Sequence, residues 1–255
     1  MTAAATALAH GAFVVHAFAN VYAFTTRGDA PSVRAANLFK GRPTAQVGSV
    51  TTAPARLSGL FDLGRLGGGL RAADVLGLID EFLCLGPVGF RGPAAEHLPD
   101  HLTVRDAAGD RWVQAIVPGY RCPSNAFLAQ CLHLCGTDHL HITSANPSHH
   151  ATGAPEEPAH YRAAEIRAAF ADEPRLVVLE HADEEAALRA YPRHAPMSVT
   201  VLGIGTHQAG TSRPTVVLER LGSLPLDEVR AVTRRLGIDL KVAPGGRRRQ
   251  QQRHY

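Results

Sequence analysis

Several features that would assign this chain to a membrane, secreted or disulfide-stapled class are scarce or missing. No apolar run approaches the length needed to cross a bilayer. The four cysteines lack the spacing of a disulfide framework, and they lie at Cys84, Cys122, Cys131 and Cys135. The first ten residues lack the basic segment of a secretion signal, so we expect a cytoplasmic protein without a signal peptide.

Charge of one sign is also scarce, while turn-forming residues are plentiful. The formal net charge is +3, which is too small to require a nucleic-acid partner but is compatible with an anionic ligand. Aromatic residues make up 6% of the chain, against 24 glycines and 17 prolines, so we expect many turns. A hydrophobic content of 45% in 255 residues is sufficient for one large domain.

Apolar periodicity predicts alternating strands and helices, which is typical of an α/β fold. A hairpin around residues 106–110 indicates that part of the sheet is antiparallel, so we expect a single twisted mixed sheet with flanking helices. The predicted strands are 11–18, 45–52, 102–105, 111–117, 140–143, 176–180, 198–203 and 215–219, and the predicted helices are 30–39, 71–85, 124–135, 161–171 and 225–236. Residues 86–89 read as a turn. Residues 1–240 are expected to form the domain, and residues 241–255 a basic, disordered tail.

Two basic and small-polar segments are candidates for binding an anion. Lys40 and Arg42 flank a glycine at a predicted helix end, where a point charge and a planar fork both suit phosphate oxygens. Thr143, Ser144 and Asn146 follow a predicted buried strand, the position where open α/β sheets bind ligands. A solvated helix end and an ordinary turn explain the same residues, so composition alone leaves both interpretations open.

The order of these segments along the chain resembles the YrdC-like family, the threonylcarbamoyl-AMP synthase type, as a divergent member. The family's signatures are matched by Lys40-Gly-Arg42-Pro43, Arg121-Cys-Pro123, Ser144-Ala-Asn146-Pro-Ser148, Ser198-Val-Thr200-Val and Arg220-Leu-Gly222. The family's V-Y-G-L segment is matched by Val21-Tyr22-Ala23-Phe24. The resemblance spans residues 10–235, and the S-A-N-P-S loop is its specific part.

The resemblance implies a YrdC-like fold and a nucleotidyltransferase that joins ATP, bicarbonate and an amino acid or amine into a carbamoyl-adenylate, with release of pyrophosphate. It implies catalytic roles for Lys40, Arg42 and Arg121, and nucleotide binding by Thr143, Ser144, Asn146, Ser198 and Arg220. Asn20 and Tyr22 would lie in the acceptor pocket. Mg²⁺ would accompany the triphosphate, and tRNA modification is the usual purpose of such chemistry.

Departures from the family pattern concentrate on the acceptor side. The P-T-D-T segment is replaced by Ala17-Phe-Ala-Asn20, and Val199 stands where threonine is expected. We therefore keep three alternatives: threonine as acceptor in tRNA modification, a less polar amine in a specialised pathway, and a non-catalytic RNA-binding module. A carbamoyl-adenylate domain acting with a downstream carbamoyl-transfer partner is a fourth.

Other polar clusters are better explained structurally. Cys131, Cys135, His139 and His141 have a spacing compatible with zinc, but core cysteines and edge histidines explain it better, so we expect no metal site. Tail arginines between 247 and 253 could contact RNA, although a solubilising tail explains them equally well.

Overall fold

The computed structural model describes residues 1–19, 21–148, 160–205 and 213–246. Its helices are α1 (Thr2–Ala9), α2 (Ala30–Phe39), α3 (Ala72–Leu85), α4 (Ser124–Cys135), α5 (Ala163–Ala169), α6 (Glu184–Ala190) and α7 (Leu226–Arg235). Its strands are β1 (Phe13–Phe18), β2 (Val21–Arg27), β3 (Ser49–Thr51), β4 (Val88–Pro93), β5 (Val104–Arg105), β6 (Arg111–Val117), β7 (Leu140–Ser144), β8 (Leu176–Leu179), β9 (Val201–Gly203), β10 (Thr215–Arg220) and β11 (Asp239–Val242). Short 3₁₀ helices lie at Pro54–Leu60 and Asp100–Leu102.

All the strands of the described residues belong to one mixed sheet, in the order β11-β10-β9-β4-β6-β3-β7-β2-β1-β8, with β5 paired to β6. The β1–β2 hairpin and the β2–β7 and β4–β6 pairs are antiparallel, whereas β3–β6, β4–β9 and β1–β8 are parallel. The fold class expected from the sequence, a single mixed α/β sheet with flanking helices, is confirmed.

In the described part of the chain, helices cover much of the sheet but leave part of one face open. Helices α1 and α4 pack on Val14 and Leu140, whereas α2 and α5 pack on the opposite face against Phe13 and Phe24. A larger core lies under α3 and α7. The side chains that share the face of α1 and α4, but lie beyond those helices, line the cavity described below.

Some expected boundaries differ from the observed ones. The segment 86–89 is not only a turn, because β4 begins at Val88 and pairs with both β6 and β9. The expected domain boundary at residue 240 lies within β11, whose backbone pairs with β10 through Val242. The expected tail therefore contributes two residues to the sheet, and residues 247–255 lie outside the described residues. The N-terminal residues 2–9 form a helix that the sequence did not predict.

No helix among the described residues has the length and apolarity that a membrane crossing requires.

Candidate active site

A cavity of 640 Å³ lies on the open face of the sheet, within the size range of small-molecule sites. It is lined by residues of β1, β2, β3, β4, β5, β6, β7 and β10, and by residues of the segments that follow α2, flank β5 and precede β9. Six of the expected site residues line it: Tyr22, Arg42, Thr143, Ser144, Ser198 and Arg220. Residues separated by almost 200 positions in the sequence therefore meet in one place.

The end of helix α2 aims Arg42 at the cavity. Gly41 adopts a left-handed conformation with φ of 66°, which glycine tolerates best. The N–H of Gly41 donates to the Leu38 carbonyl at 3.0 Å, and the N–H of Arg42 to the Asn37 carbonyl at 2.8 Å. These two bonds form a Schellman motif, so the Lys-Gly-Arg sequence ends the helix and fixes the direction of the Arg42 side chain.

The side chains of Lys40 and Arg42 both make hydrogen bonds to the end of β7. The Nη1 of Arg42 donates to the Thr143 hydroxyl at 2.8 Å. The Nζ of Lys40 donates to the same hydroxyl at 3.4 Å and also to the carbonyl of Ser144. Lys40 is only 2% exposed and does not line the cavity. It lies behind the wall that Arg42 and Ser144 form, where its positive charge still acts on the cavity through a medium of low dielectric constant.

Arg220 and Ser198 supply the facing wall. The Nε of Arg220 donates to the Val199 carbonyl at 3.1 Å, which ties the end of β10 to the segment before β9. Ser198 in turn accepts the N–H of Ser223 through its carbonyl at 2.8 Å. Arg220 and Ser198 therefore line the cavity from a connection that these two hydrogen bonds hold together.

Among the described residues, three of the expected site residues do not line the cavity: Lys40, Asn146 and Arg121. Lys40 lies behind the cavity wall, as described above. Asn146 is buried, and its amide donates to the Pro147 carbonyl at 2.9 Å. Arg121 is exposed and lines a separate depression with Tyr120 and Tyr191, because β6 ends at Val117 and Arg121 lies in the turn before α4. Asn20 lies outside the described residues.

Tyr22 contributes to the lining, but its hydroxyl is directed to the other face of the sheet. The hydroxyl donates to Glu184 Oε1 at 3.0 Å and accepts the N–H of His181 at 3.0 Å. Burial raises the pKa of Tyr22, and the hydrogen bond and charge of Glu184 raise it further. The phenol thus anchors the segment that begins α6, and its hydroxyl is not presented to an acceptor.

One side of the cavity is apolar. Phe18, Val21, Ala23, Ile142 and Val199 form one buried cluster, and all five line the cavity. The β1–β2 turn beside them begins at Ala19, which has a φ of 56°. An alanine in this conformation costs roughly 1 kcal/mol, so the turn is held in place by its surroundings.

A second polar zone lies on the floor of the cavity, and sequence reasoning did not find it. Arg91 donates to Gln114 Oε1 at 2.8 Å and forms an ion pair with Glu219 at 2.8 Å. Gln114 donates to the Ser49 hydroxyl at 2.6 Å. Trp112 lines the same end and donates its Nε1–H to Asp106 at 2.9 Å. These residues carry no recognisable motif, because they come from four separate strands and a hairpin.

Of the cysteines and histidines with zinc-compatible spacing, Cys131 and His141 are buried, whereas Cys135 and His139 are half-buried. Burial raises the pKa of Cys131 to about 12 and lowers that of His141 to about 3, the latter with help from the charges of Arg42 and Lys40. Among the described residues no group of three His, Cys, Asp or Glu side chains could hold a metal ion.

Comparison with known proteins gives matches at the level of structure only. No family model and no curated protein matches the sequence. A doubly substituted variant of Sua5 from P. abyssi superposes with a TM-score of 0.64 at 18% identity, over 96% of this chain and 61% of that one. P. abyssi Sua5 complexed with L-threonine gives a TM-score of 0.62 at 19% identity, over 94% of this chain and 58% of that one.

A third structure is similar over almost its whole length. A hypothetical protein from Streptococcus mutans gives a TM-score of 0.57 at 14% identity, over 91% of this chain and 90% of that one. The chain spans about three fifths of the Sua5 chains that it matches. At these identities the comparison establishes architecture, and the chain has the YrdC-like fold seen in Sua5, with a strongly diverged sequence.

Proposed function

We propose that this chain uses ATP to convert the carbamate of an amino acid or amine into a carbamoyl-adenylate, releasing pyrophosphate. The observation that carries the proposal is the meeting of Arg42, Ser144, Ser198 and Arg220 in one cavity on an open sheet face. These residues come from segments that match the YrdC-like pattern in order. Two guanidinium groups and two hydroxyls around a cavity suit a polyphosphate and a ribose.

In this proposal the residues act by position and charge. Bicarbonate and the amine form a carbamate with loss of water, and a carbamate oxygen attacks the α-phosphorus of ATP while pyrophosphate leaves. Arg42 and Arg220 stabilise the negative charge of the phosphates, and Lys40 adds a buried positive charge behind them. Mg²⁺ would enter with the triphosphate and neutralise part of its charge.

The acceptor is proposed to carry an apolar side chain. Sua5 has been solved with L-threonine, but here the acceptor side presents the Phe18, Val21, Ala23, Ile142 and Val199 cluster. An apolar pocket discriminates weakly against an added hydroxyl and gains from each methylene that it buries. A tRNA, or a partner protein that accepts the carbamoyl group, would then take the product onward.

Exchange of labelled pyrophosphate into ATP, with bicarbonate and a panel of amines, tests the proposal. We expect exchange that depends on bicarbonate and is faster with apolar amino acids than with threonine. Arg42→Met should lower exchange by roughly a hundredfold, while Arg56→Met should not change it, because Arg56 is half-exposed and pairs with Asp138 on the surface. Threonine as the best substrate would overturn the acceptor assignment alone. Absence of exchange with every amine would overturn the enzymatic proposal and favour a non-catalytic, RNA-binding role.

A further inference from the structure

The floor of the cavity carries a continuous row of four polar side chains, hereafter the polar row: Ser49, Gln114, Arg91 and Glu219. Consecutive members are 2.6, 2.8 and 2.8 Å apart. They stand on β3, β6, β4 and β10, so the row crosses five neighbouring strands, of which β9 contributes no side chain to it. At about 4.8 Å per strand, the row extends for roughly 19 Å.

Strand register explains why the row is continuous. Arg91 is directly opposite Gln114 in the β4–β6 pair and opposite Gly203 in the β4–β9 pair. Glu219 reaches Arg91 across Gly203, where a Cβ would lie only 2.6 Å from Glu219 Oε1. A side chain at position 203 would displace the Glu219 carboxylate from its present position beside Arg91.

The charge of the row argues against a phosphate site. Arg91 is paired with Glu219, so these two charges offset each other, whereas Arg42 lies beside Thr143 at the end of β7, the zone expected for phosphates. Glu219 is only 18% exposed on its side chain, and burial raises its pKa against the opposing charges of Arg91 and Arg220. A ligand without net charge, but with its own donors and acceptors, fits this zone best.

The polar row offers a ligand both hydrogen-bond donors and hydrogen-bond acceptors. Arg91 uses one N–H on Gln114, and Gln114 uses one of its two N–H groups on Ser49, so both retain donors without a partner among the described residues. Glu219 Oε2 is buried and pairs with Arg91 at 2.8 Å, so only the exposed 18% of the Glu219 side chain can accept from a ligand. Arginine and glutamine side chains bind the acceptor edges of purines, and carboxylates accept from exocyclic amino groups.

An aromatic wall accompanies the row. Trp112 stands two residues before Gln114 on β6, so the two side chains share a face of the sheet. Its indole N–H is held by Asp106, which fixes the ring beside the row. A fixed aromatic ring next to mixed donors and acceptors is the combination that binds a nucleobase by stacking and by its edge.

We propose that the polar row and Trp112 bind the purine base of the nucleotide, which extends across the sheet from the phosphate zone. The proposal rests on the proposed function, since it assumes that a triphosphate occupies the zone of Arg42 and Ser144. The row begins at Ser49, whose strand β3 neighbours β7, and Arg91 is three strand spacings, or about 14 Å, from β7. That distance is of the order of an extended nucleotide.

Calorimetric titration with ATP, UTP and inorganic tripolyphosphate, each with Mg²⁺, tests the proposal. We expect the wild-type chain to bind ATP at least roughly tenfold more tightly than tripolyphosphate, and more tightly than UTP. Gln114→Leu and Arg91→Met should each remove most of the preference for ATP while tripolyphosphate affinity stays within about twofold. Arg56→Met is the control and should leave all three affinities unchanged.

The outcomes separate the two proposals. Equal wild-type affinity for ATP and tripolyphosphate overturns the base site and leaves the phosphate site standing. The base site is also overturned if Gln114→Leu and Arg91→Met each weaken the binding of ATP and tripolyphosphate equally, because tripolyphosphate has no base to contact these residues. Failure of both ligands to bind the wild-type chain overturns the proposed function itself, and the base site with it.

Discussion

Replacing Tyr22 with phenylalanine should weaken the fold without affecting the cavity. The Tyr22 hydroxyl joins three parts of the chain, since it donates to Glu184 Oε1 and accepts the N–H of His181. Glu184 Oε1 also accepts the N–H of Ala163 at 2.7 Å, at the start of α5. The phenol is therefore a structural junction between β2, α5 and α6, on the face of the sheet opposite the cavity.

The magnitude follows from the bonds that are lost. A hydrogen bond to a charged carboxylate contributes about 1.5–3 kcal/mol, and a buried N–H that loses its acceptor costs about 1 kcal/mol more. Tyr22→Phe should therefore lower the free energy of unfolding by about 2–4 kcal/mol. With a urea dependence of about 3 kcal/mol per molar, the unfolding midpoint should fall by about 1 M.

Urea unfolding followed by circular dichroism measures this effect, and pyrophosphate exchange on the same variant measures activity. Tyr120→Phe is the matched control, because Tyr120 is 44% exposed and donates to Asp80 at 2.8 Å on the surface, so its loss should cost under about 0.5 kcal/mol. The reasoning is refuted if Tyr22→Phe unfolds like the wild type but raises the KM for the amine. That result would indicate that the Tyr22 hydroxyl contacts the amine in the acceptor pocket.

Two further predictions concern buried histidines and a tightly packed glycine. Burial lowers the folded-state pKa of His16 and His194 to about 4 and that of His141 to about 3, so their contribution to stability is present above pH 6.5 and is lost as the pH falls towards 4. Three protons taken up on unfolding correspond to a fall in the free energy of unfolding of about 4 kcal/mol per pH unit near pH 5. A His194→Asn variant whose free energy of unfolding depends on pH as steeply as that of the wild type would contradict this account. Gly48→Ala would place a Cβ 2.2 Å from the His141 ring, so thermal unfolding should show a loss of stability of more than about 2 kcal/mol. The control is Gly59→Ala, whose Cβ would have no atom within 4 Å and which should change stability by less than about 1 kcal/mol. Equal stability of the two alanine variants would show that the His141 ring moves aside at little energetic cost.

Local sequence signals predicted the amphipathic elements well. Helix α4 has the expected bounds, because its apolar residues keep helical spacing up to Gly136, which adopts the left-handed conformation that ends the helix. Strand β2 had no comparable signal: six of its seven residues are buried, so it lacks the alternation that marks a half-exposed strand. Without β2 as a strand, the direction of the Tyr22 side chain could not be foreseen.

The candidate site was only partly predictable for a different reason. Arg42, Ser144 and Arg220 belong to short motifs whose order along the chain is informative by itself. Arg91 and Gln114 belong to no motif, and they meet only because β4 and β6 are neighbours with Arg91 opposite Gln114. Strand order depends on contacts between distant parts of the chain, and periodicity does not reveal it. The position of Arg121 outside the cavity has the same origin, since β6 ends at Val117 and Arg121 lies in the turn that follows.

The central claim is that this cavity joins bicarbonate and an amine to the α-phosphate of ATP. Mass spectrometry of a reaction with ¹³C-bicarbonate, ATP, Mg²⁺ and an apolar amino acid tests it most directly. The account predicts an adenylate that carries one ¹³C and disappears in Arg42→Met but not in Arg56→Met. An adenylate that carries no ¹³C, or unchanged ATP with every amine, would contradict it.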